Sequence, residues 1–226
     1  MNKTIQQFLI QQGADTVRFA DISALPERQT QGYKKAVVFC LALTKKFILD
    51  VRGGLVIDEQ NDEFVQKEKR ADEIAEQLAD FIRNKGYNAY PQSEKGNAES
   101  GHYDEATATS TLPHKTIARL AGLGFIGKSD LFVTEKYGSA FSMCTVLTDA
   151  PVEIENKPLI QPKCGACDLC VKACPAGAIH GREWTESGGR ESIVDVTKCF
   201  CALKCMVACP WTLRYAKNRI IGLPAQ

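Results

Sequence analysis

The chain has little net charge and no long apolar run. Its 226 residues include 28 Lys and Arg against 27 Asp and Glu, a formal net charge of +1, so it shows no electrostatic footprint for nucleic acid. The apolar patch Phe8, Leu9 and Ile10 is too short for the core of an export signal, and no stretch reaches membrane-spanning length. The sequence predicts a globular protein of the reducing cytoplasm with no membrane partner.

Histidine is scarce and does not form a metal motif. The three histidines, His102, His114 and His180, are scattered, and no pair has the spacing of metal ligands. His114 follows Pro113 at a predicted helix start. It is either a surface residue there or an acid or base near a pocket.

Cysteine, by contrast, is abundant and clustered. Eight of the ten cysteines fall in two runs: Cys164, Cys167, Cys170 and Cys174, then Cys199, Cys201, Cys205 and Cys209. The first run has the C-x2-C-x2-C-x3-C-P spacing of bacterial ferredoxins. The second run also ends in Cys-Pro, but Ala202 occupies the position where that spacing places a cysteine, and Cys201 stands one residue earlier.

The spacing predicts two [4Fe–4S] clusters whose ligands cross between the runs, because the fourth ferredoxin cysteine ligates the other cluster. Cluster I takes Cys164, Cys167, Cys170 and Cys209, and cluster II takes Cys174, Cys199, Cys201 and Cys205. The alternatives are zinc sites and disulfides. Zinc motifs rarely use four cysteines in so tight a series followed by proline, and disulfides need an oxidising compartment.

The remaining pattern predicts a domain of alternating helices and strands before residue 150. Residues 36–43 form a continuous apolar run typical of a buried strand, and 58–85 have the periodicity of an amphipathic helix. Residues 44–57 and 92–104 are predicted as loops, and 131–134 with 140–147 as a hairpin. This alternation favours an α/β architecture. Three prolines at 151, 158 and 162 mark a linker, which gives domains 1–150 and 151–226.

Several stretches resemble the epoxyqueuosine reductase family, cobalamin-dependent iron–sulfur enzymes of tRNA queuosine biosynthesis that are related to the corrinoid-binding reductive dehalogenases. The stretches are 121–129 (AGLGFIGKS), 137–139 (YGS), 147–149 (LTD), 174–179 (CPAGAI) and 208–211 (ACPW). They occur in the family's order, and the likeness covers about residues 30–215.

The resemblance implies an α+β fold, in which a small nitroreductase-like domain with a mixed sheet precedes a ferredoxin-like two-cluster domain. It also implies that the segment like 121–134 lies against the corrin. The positions that would then contact the cofactor are Leu123, Gly124, Lys128, Phe132 and Thr134. The glycines of this segment could equally serve backbone turns without any ligand. The implied electron donor is of the ferredoxin or flavodoxin class.

Departures from the family pattern shape the predicted function. The family's catalytic aspartate falls on Ala108 when counted without gaps, with Asp104 and Glu105 nearby, and Cys144 stands where the family usually has glycine. The family's helical-repeat domain for tRNA has no counterpart. We therefore expect an iron–sulfur oxidoreductase that passes electrons to a corrinoid or substrate in the N-terminal domain and does not act on tRNA. The alternatives are an electron carrier that serves a partner enzyme without a corrinoid, and a structural module of a larger complex.

Overall fold

The structure is a computed structural model that describes residues 1–58, 60–104 and 106–217. The helices are α1 (Asn2–Gln11), α2 (Glu27–Thr30), α3 (Lys45–Arg52), α4 (Glu63–Arg83), α5 (Glu94–Ser100), α6 (His114–Leu120), α7 (Leu169–Ala173), α8 (Lys204–Ala208) and α9 (Pro210–Ala216). The strands are β1 (Thr16–Asp21), β2 (Lys35–Ala42), β3 (Ala89–Pro91), β4 (Tyr103–Asp104), β5 (Thr109–Ser110), β6 (Gly124–Ile126), β7 (Phe132–Thr134) and β8 (Phe141–Thr148).

The chain divides into two compact units, each assembled from separate segments. Unit 1 comprises Met1–Ala42, Phe64–Leu123 and Phe141–Ile160. Unit 2 comprises Leu43–Glu63, Gly124–Ala140 and the chain from Gln161. This division differs from the predicted single boundary near residue 150, because two internal segments group with the cysteine-rich end of the chain.

Unit 1 is built on a sheet with strand order β1-β2-β8-β3. The apolar run at 36–43 forms its centre, and Phe39 of β2 lies opposite Cys144 of β8. One face packs against the apolar sides of α1 and α4, where Leu9, Ile74 and Leu78 are fully buried. Helix α6 packs against β1, β2 and β8. These elements make unit 1 an α+β domain with its own hydrophobic core.

The predicted mixed sheet is wrong, since every neighbouring pair in this sheet is antiparallel. Strands β2 and β3 run in the same direction, with α4 between them in sequence, but they do not pair with each other. Strand β8 lies between them and is antiparallel to both. The predicted hairpin of 131–134 with 140–147 is also wrong, because β7 pairs with β6 instead.

Unit 2 contains the β6–β7 hairpin and the short helices α3, α7, α8 and α9. Helix α8 packs against α3, α7 and α9, and Trp211 of α9 lies edge-on to Phe125 of β6 with ring centroids 5.8 Å apart. Residues 44–57, predicted as a loop, include α3, whose first turn is capped by the Thr44 side chain. Within the described part of the chain, no helix combines the length and apolar character needed to cross a membrane.

Candidate metal centre

Both cysteine runs fold into the same local structure, a short helix that ends in Cys-Pro. The first run turns at Cys167, whose N–H donates to the Cys164 carbonyl at 3.0 Å, and then enters α7. The second run enters α8 and ends at Cys209, which is followed by Pro210 at the first turn of α9. Proline suits that position because its missing N–H would have had no partner within the helix.

The cysteines of the two runs are free thiols of unequal exposure. None of them is in a disulfide, Cys199 and Cys201 are exposed, and the other six are partly buried. Cys201 adopts a left-handed backbone with φ +52, as does Leu203 with φ +54. These two residues turn the chain sharply between Cys199 and α8, at the place where the cysteine spacing departs from the ferredoxin pattern.

The thiols of the two runs act on one another electrostatically. Burial raises the pKa of Cys209, and the charges that raise it further are those of Cys164 and Cys167 from the other run. Burial likewise raises the pKa of Cys170 to about 11, with further contributions from Cys164, Cys209 and Cys167. The four cluster I cysteines therefore lie close enough to act on one another, although one of them comes from the second run.

Cys205 also has thiol neighbours from both runs. Burial raises the pKa of Cys205 to about 12, and the charge of Cys199 adds to this effect, as do those of Cys170 and Cys174. Cys174 belongs to the first run and Cys205 to the second, so this group also draws on both runs. Cys170 contributes as well, which is expected where α7 and α8 pack together.

Backbone N–H groups point at several of these sulfurs. The Ala178 N–H donates to the Cys174 sulfur at 3.4 Å, and the N–H groups of Trp211 and Thr212 donate to Cys209 and lower its pKa. The Lys128 N–H likewise donates to the Cys164 sulfur, which favours a lower pKa of that thiol. N–H···S hydrogen bonds of this kind favour thiolate over thiol and tune the potential of an iron–sulfur cluster.

The donor set fits [4Fe–4S] clusters better than a single metal ion. Among the described residues, no group of three or more His, Cys, Asp or Glu side chains is gathered closely enough to hold one ion. A [4Fe–4S] cluster instead binds each thiolate to a different iron, so its ligands stand farther apart. Four thiols for each cluster, with N–H donors aimed at several of the sulfurs, are a donor set that such a cluster uses.

The five positions expected to contact a corrin are divided between the two units. Leu123 belongs to unit 1, whereas the other four belong to unit 2. A Cβ on Gly124 would lie 2.1 Å from the Val133 carbonyl oxygen, so glycine is needed for the β6–β7 pairing itself. Thr134 is buried and its hydroxyl accepts a hydrogen bond from the Tyr137 N–H at 3.1 Å. The pairing and the turn account for these two residues without a ligand.

The two remaining positions are also engaged within unit 2. Phe132 is 3% exposed, and Lys128, at 9%, donates from Nζ to the Gly165 carbonyl at 2.6 Å. Gly165 follows the first cluster ligand, so Lys128 lies with the cysteines. These contacts give the corrinoid no support at the five positions, and it stays a prediction.

The expected acid position lies in the turn between β4 and β5. Ala108 has φ +49 there, and Asp104 is exposed, with its Oδ1 accepting hydrogen bonds from the Ala106 and Thr107 N–H groups at 3.0 and 3.4 Å. The Thr107 side chain, followed by these backbone hydrogen bonds, lowers the pKa of Asp104. Glu105 lies outside the described residues.

A buried polar chain in unit 1 was not predicted from the sequence. His114 Nδ1 lies 2.7 Å from the Thr145 hydroxyl, which donates to Gln92 Oε1 at 2.6 Å, and Gln92 Nε2 donates to the Leu112 carbonyl at 2.8 Å. Since the Thr145 proton goes to Gln92, Nδ1 must donate to Thr145. Burial of the ring lowers the pKa of His114 to about 4. The partners come from distant elements, so only the His-after-Pro position was visible in the sequence.

The two cysteines outside the runs are inert core residues. Cys40 and Cys144 are buried in the sheet of unit 1, and burial raises the pKa of both thiols. The Cys144 thiol donates to Asp72 Oδ1 at 3.6 Å. Both cysteines are therefore packed in the core of unit 1.

Comparisons with known proteins connect this geometry to a family. No family model matches the chain. The epoxyqueuosine reductase of Listeria monocytogenes is 37% identical over 73 residues, which is 32% of this chain and 19% of that protein. The chain thus matches only about a fifth of this curated relative's length.

Solved structures share the fold over nearly the whole chain. The structure of epoxyqueuosine reductase from Streptococcus thermophilus superposes with a TM-score of 0.60 at 15% identity, covering 94% of this chain and 66% of that one. A reductive dehalogenase, whose structure was reported with a mechanism for B12-dependent dehalogenation, superposes with a TM-score of 0.68 at 21% identity, covering 93% of this chain and 32% of that one. At these identities the likeness shows the fold alone.

Proposed function

Because this chain is epoxyqueuosine reductase-like in sequence and fold, and is structurally related to the reductive dehalogenases, we propose that it is an iron–sulfur oxidoreductase. It uses two [4Fe–4S] clusters held in the crossed pattern. The observation that carries this proposal is the grouping of Cys209 with Cys164, Cys167 and Cys170. Two unrelated zinc sites, one in each run, would have kept Cys209 with its own run.

The protein's part is to hold the clusters and set their surroundings. Bound [4Fe–4S] clusters supply reversible one-electron transfer. The eight thiolates of the two runs bind the iron, and the N–H groups of Ala178, Trp211 and Thr212 donate to the sulfurs. Exposed Cys199 and Cys201 leave cluster II open to an external electron donor of the ferredoxin or flavodoxin class.

The electron acceptor is a corrinoid or a reducible substrate, and we propose that it is not epoxyqueuosine in tRNA. Removal of an epoxide oxygen needs a proton donor, and a positioned general acid contributes roughly 10²- to 10⁴-fold. Ala108 cannot donate a proton, and the pKa of the nearby Asp104 is lowered by hydrogen bonds rather than raised toward neutral pH. The net charge of +1 also offers little attraction to a tRNA backbone.

A second candidate, an electron carrier that serves a partner enzyme without a corrinoid, is favoured by one observation. The hairpin residues expected to contact a corrin, Gly124, Lys128 and Thr134, are already engaged inside unit 2. An electron carrier needs the clusters and a docking surface but no second cofactor.

Anaerobic reconstitution followed by iron and sulfide analysis tests the main proposal. We expect about eight iron and eight sulfide per chain, as two [4Fe–4S] clusters require, and a visible absorbance that dithionite bleaches. The variant Cys170→Ala should lose iron, whereas the matched control Cys40→Ala, a buried cysteine of unit 1, should not. Stoichiometric zinc without sulfide would refute the proposal.

Titration of the reconstituted protein with cobalamin separates the two candidates. A saturable change in the visible spectrum supports the corrinoid-dependent reductase, and its absence supports the electron carrier. Turnover of epoxyqueuosine-containing tRNA, with a strong reductant and added cobalamin, should be negligible. Robust queuosine formation would contradict the proposed exclusion of tRNA.

A further inference from the structure

Lys128 is a buried cation beside the cluster I cysteines. It is 9% exposed, and no other lysine or arginine among the described residues is buried. Its Nζ donates to the Gly165 carbonyl oxygen at 2.6 Å, and its backbone N–H donates to the Cys164 thiol. A Cβ placed on the preceding residue, Gly127, would lie 3.7 Å from the Cys164 sulfur. Lys128 thus donates a backbone hydrogen bond to Cys164 and places its charge beside the next residue, Gly165.

Among the described residues, Lys128 has no salt-bridge partner to compensate its burial. Asp168 is near enough for Lys128 to affect its carboxyl group, but it is exposed and pairs with Lys172 at 2.9 Å. Burying an unpaired ammonium group is costly. The missing counter-charge is the kind that an iron–sulfur cluster with four thiolates supplies, since such a cluster is an anion.

The partly buried position of cluster I creates a need for that charge. Reduction adds an electron to an already anionic group, and burial penalises the more negative form. Two cluster II ligands, Cys199 and Cys201, are instead exposed, so water can stabilise the reduced form there. Without compensation, burial would make cluster I the harder of the two to reduce.

We propose that Lys128 raises the reduction potential of cluster I, so that this cluster can accept an electron from the exposed cluster II. Lys128 is then a positioning residue for electron transfer. This assigns it to the iron–sulfur site and not to the contacts with a corrin. The inference rests on the proposed function. In the step itself, one electron leaves cluster II and enters cluster I, and an external one-electron reductant of the ferredoxin or flavodoxin class restores cluster II.

Glu183 supplies a test of opposite sign on the same loop. Its Oε1 accepts a hydrogen bond from the Gly165 N–H at 2.9 Å, while Lys128 holds the carbonyl of that same residue. The Glu183 carboxylate is negative and the Lys128 ammonium group is positive, so their charges act with opposite sign on a group bound beside this loop. If these side chains only anchored the loop, removing either charge would disturb cluster I in the same way. If they act electrostatically, the two changes must have opposite effects.

The experiment is an EPR-monitored redox titration of reconstituted wild type and variants at matched iron and sulfide content. In Lys128→Met we expect the reduction equilibrium constant of one cluster to fall about tenfold, a shift of 59 mV for one electron, while the other cluster is unchanged. Lys128→Arg should keep the wild-type potentials. Glu183→Gln should shift the same cluster to higher potential by a smaller factor, since Glu183 is exposed and screened.

The matched control is Lys136→Met, which removes an exposed lysine of unit 2 that lies over the Tyr137 ring, and it should change neither potential. Unchanged potentials in Lys128→Met, or shifts of the same sign in Lys128→Met and Glu183→Gln, would overturn the inference. If Lys128→Met fails to hold its clusters, Glu183→Gln decides. A shift of the cluster potential to higher values supports the inference, and an unchanged potential refutes it. An iron-free wild type would instead refute the proposed function, which iron analysis shows before any titration.

Discussion

The close approach of Gly138 to α9 gives a sharp test of the packing in unit 2. Gly138 has φ +60, and a Cβ there would lie 2.2 Å from the Thr212 nitrogen and 2.5 Å from its Cα. These are backbone atoms of the first turn of α9, which begins directly after the cluster ligand Cys209. Gly138→Ala must therefore move the hairpin or the start of α9, because no side-chain rotation can relieve the clash.

The expected loss of stability has two parts. An alanine in left-handed conformation costs roughly 1–2 kcal/mol, and forcing an extra carbon into a packed site costs roughly 1–3 kcal/mol more. For a chain of this size, 1 kcal/mol corresponds to about 2–4 °C in Tm. The sum of about 2–5 kcal/mol predicts a fall in Tm of about 4–20 °C for Gly138→Ala.

Gly177→Ala is the matched control, because Gly177 has the same φ of +60 but no atom within 4 Å of its Cβ position. It carries only the conformational cost, about 1–2 kcal/mol, or about 2–8 °C. The assay is thermal unfolding of reconstituted proteins at one scan rate, since iron–sulfur proteins can unfold irreversibly, with iron release recorded in parallel. Equal midpoints for the two variants would refute the packing argument.

Three further predictions concern single residues. Cys209→Ala should abolish cluster I and leave cluster II, as read by iron content and EPR; loss of cluster II alone would contradict the crossing. Burial lowers the pKa of His114 from 6.5 to about 4, so the unfolded chain binds a proton that the folded one does not. The free energy of unfolding should therefore fall by up to about 3 kcal/mol as the pH is lowered from 6.5 to 4. Urea unfolding measures this fall, which should be smaller in His114→Gln. Cys144 should resist iodoacetamide at pH 7 until the protein is denatured, because its thiol is buried with a raised pKa; labelling of native protein would contradict this.

The cysteine runs and the central strand were predictable because their signals are local. The ferredoxin spacing gives the reach of each loop between thiols, and an uninterrupted apolar run like 36–43 needs burial on both faces wherever its partners lie. In the structure this apolar run forms β2, an inner strand of the sheet. Neither prediction required knowledge of which distant segment would be its neighbour.

Pairing between distant strands could not be predicted in this way. Residues 132–134 and 141–148 are close in sequence and both apolar, so a hairpin was the natural expectation. The second strand instead pairs with Lys35–Ala42, about a hundred positions earlier, and the first with Gly124–Ile126. The units interleave because residues 43–63, after β2, and 124–140, before β8, belong to unit 2, while the segments around them belong to unit 1.

The glycine-rich segment and the cysteine runs, the strongest signals in the sequence, belong to one site. Packing alone explains one residue in each strand of the β6–β7 hairpin. Gly124 leaves room for the Val133 carbonyl, and the Thr134 hydroxyl accepts a hydrogen bond from the Tyr137 N–H in the turn that follows. Lys128, in that turn, extends to the loop after Cys164. A resemblance carried by the segment 121–129 is therefore evidence about how the loop after Cys164 is supported before it is evidence about a corrin. An iron–sulfur protein without a corrinoid could retain the same residues for that reason, which is why direct cobalamin titration must decide between the two functions.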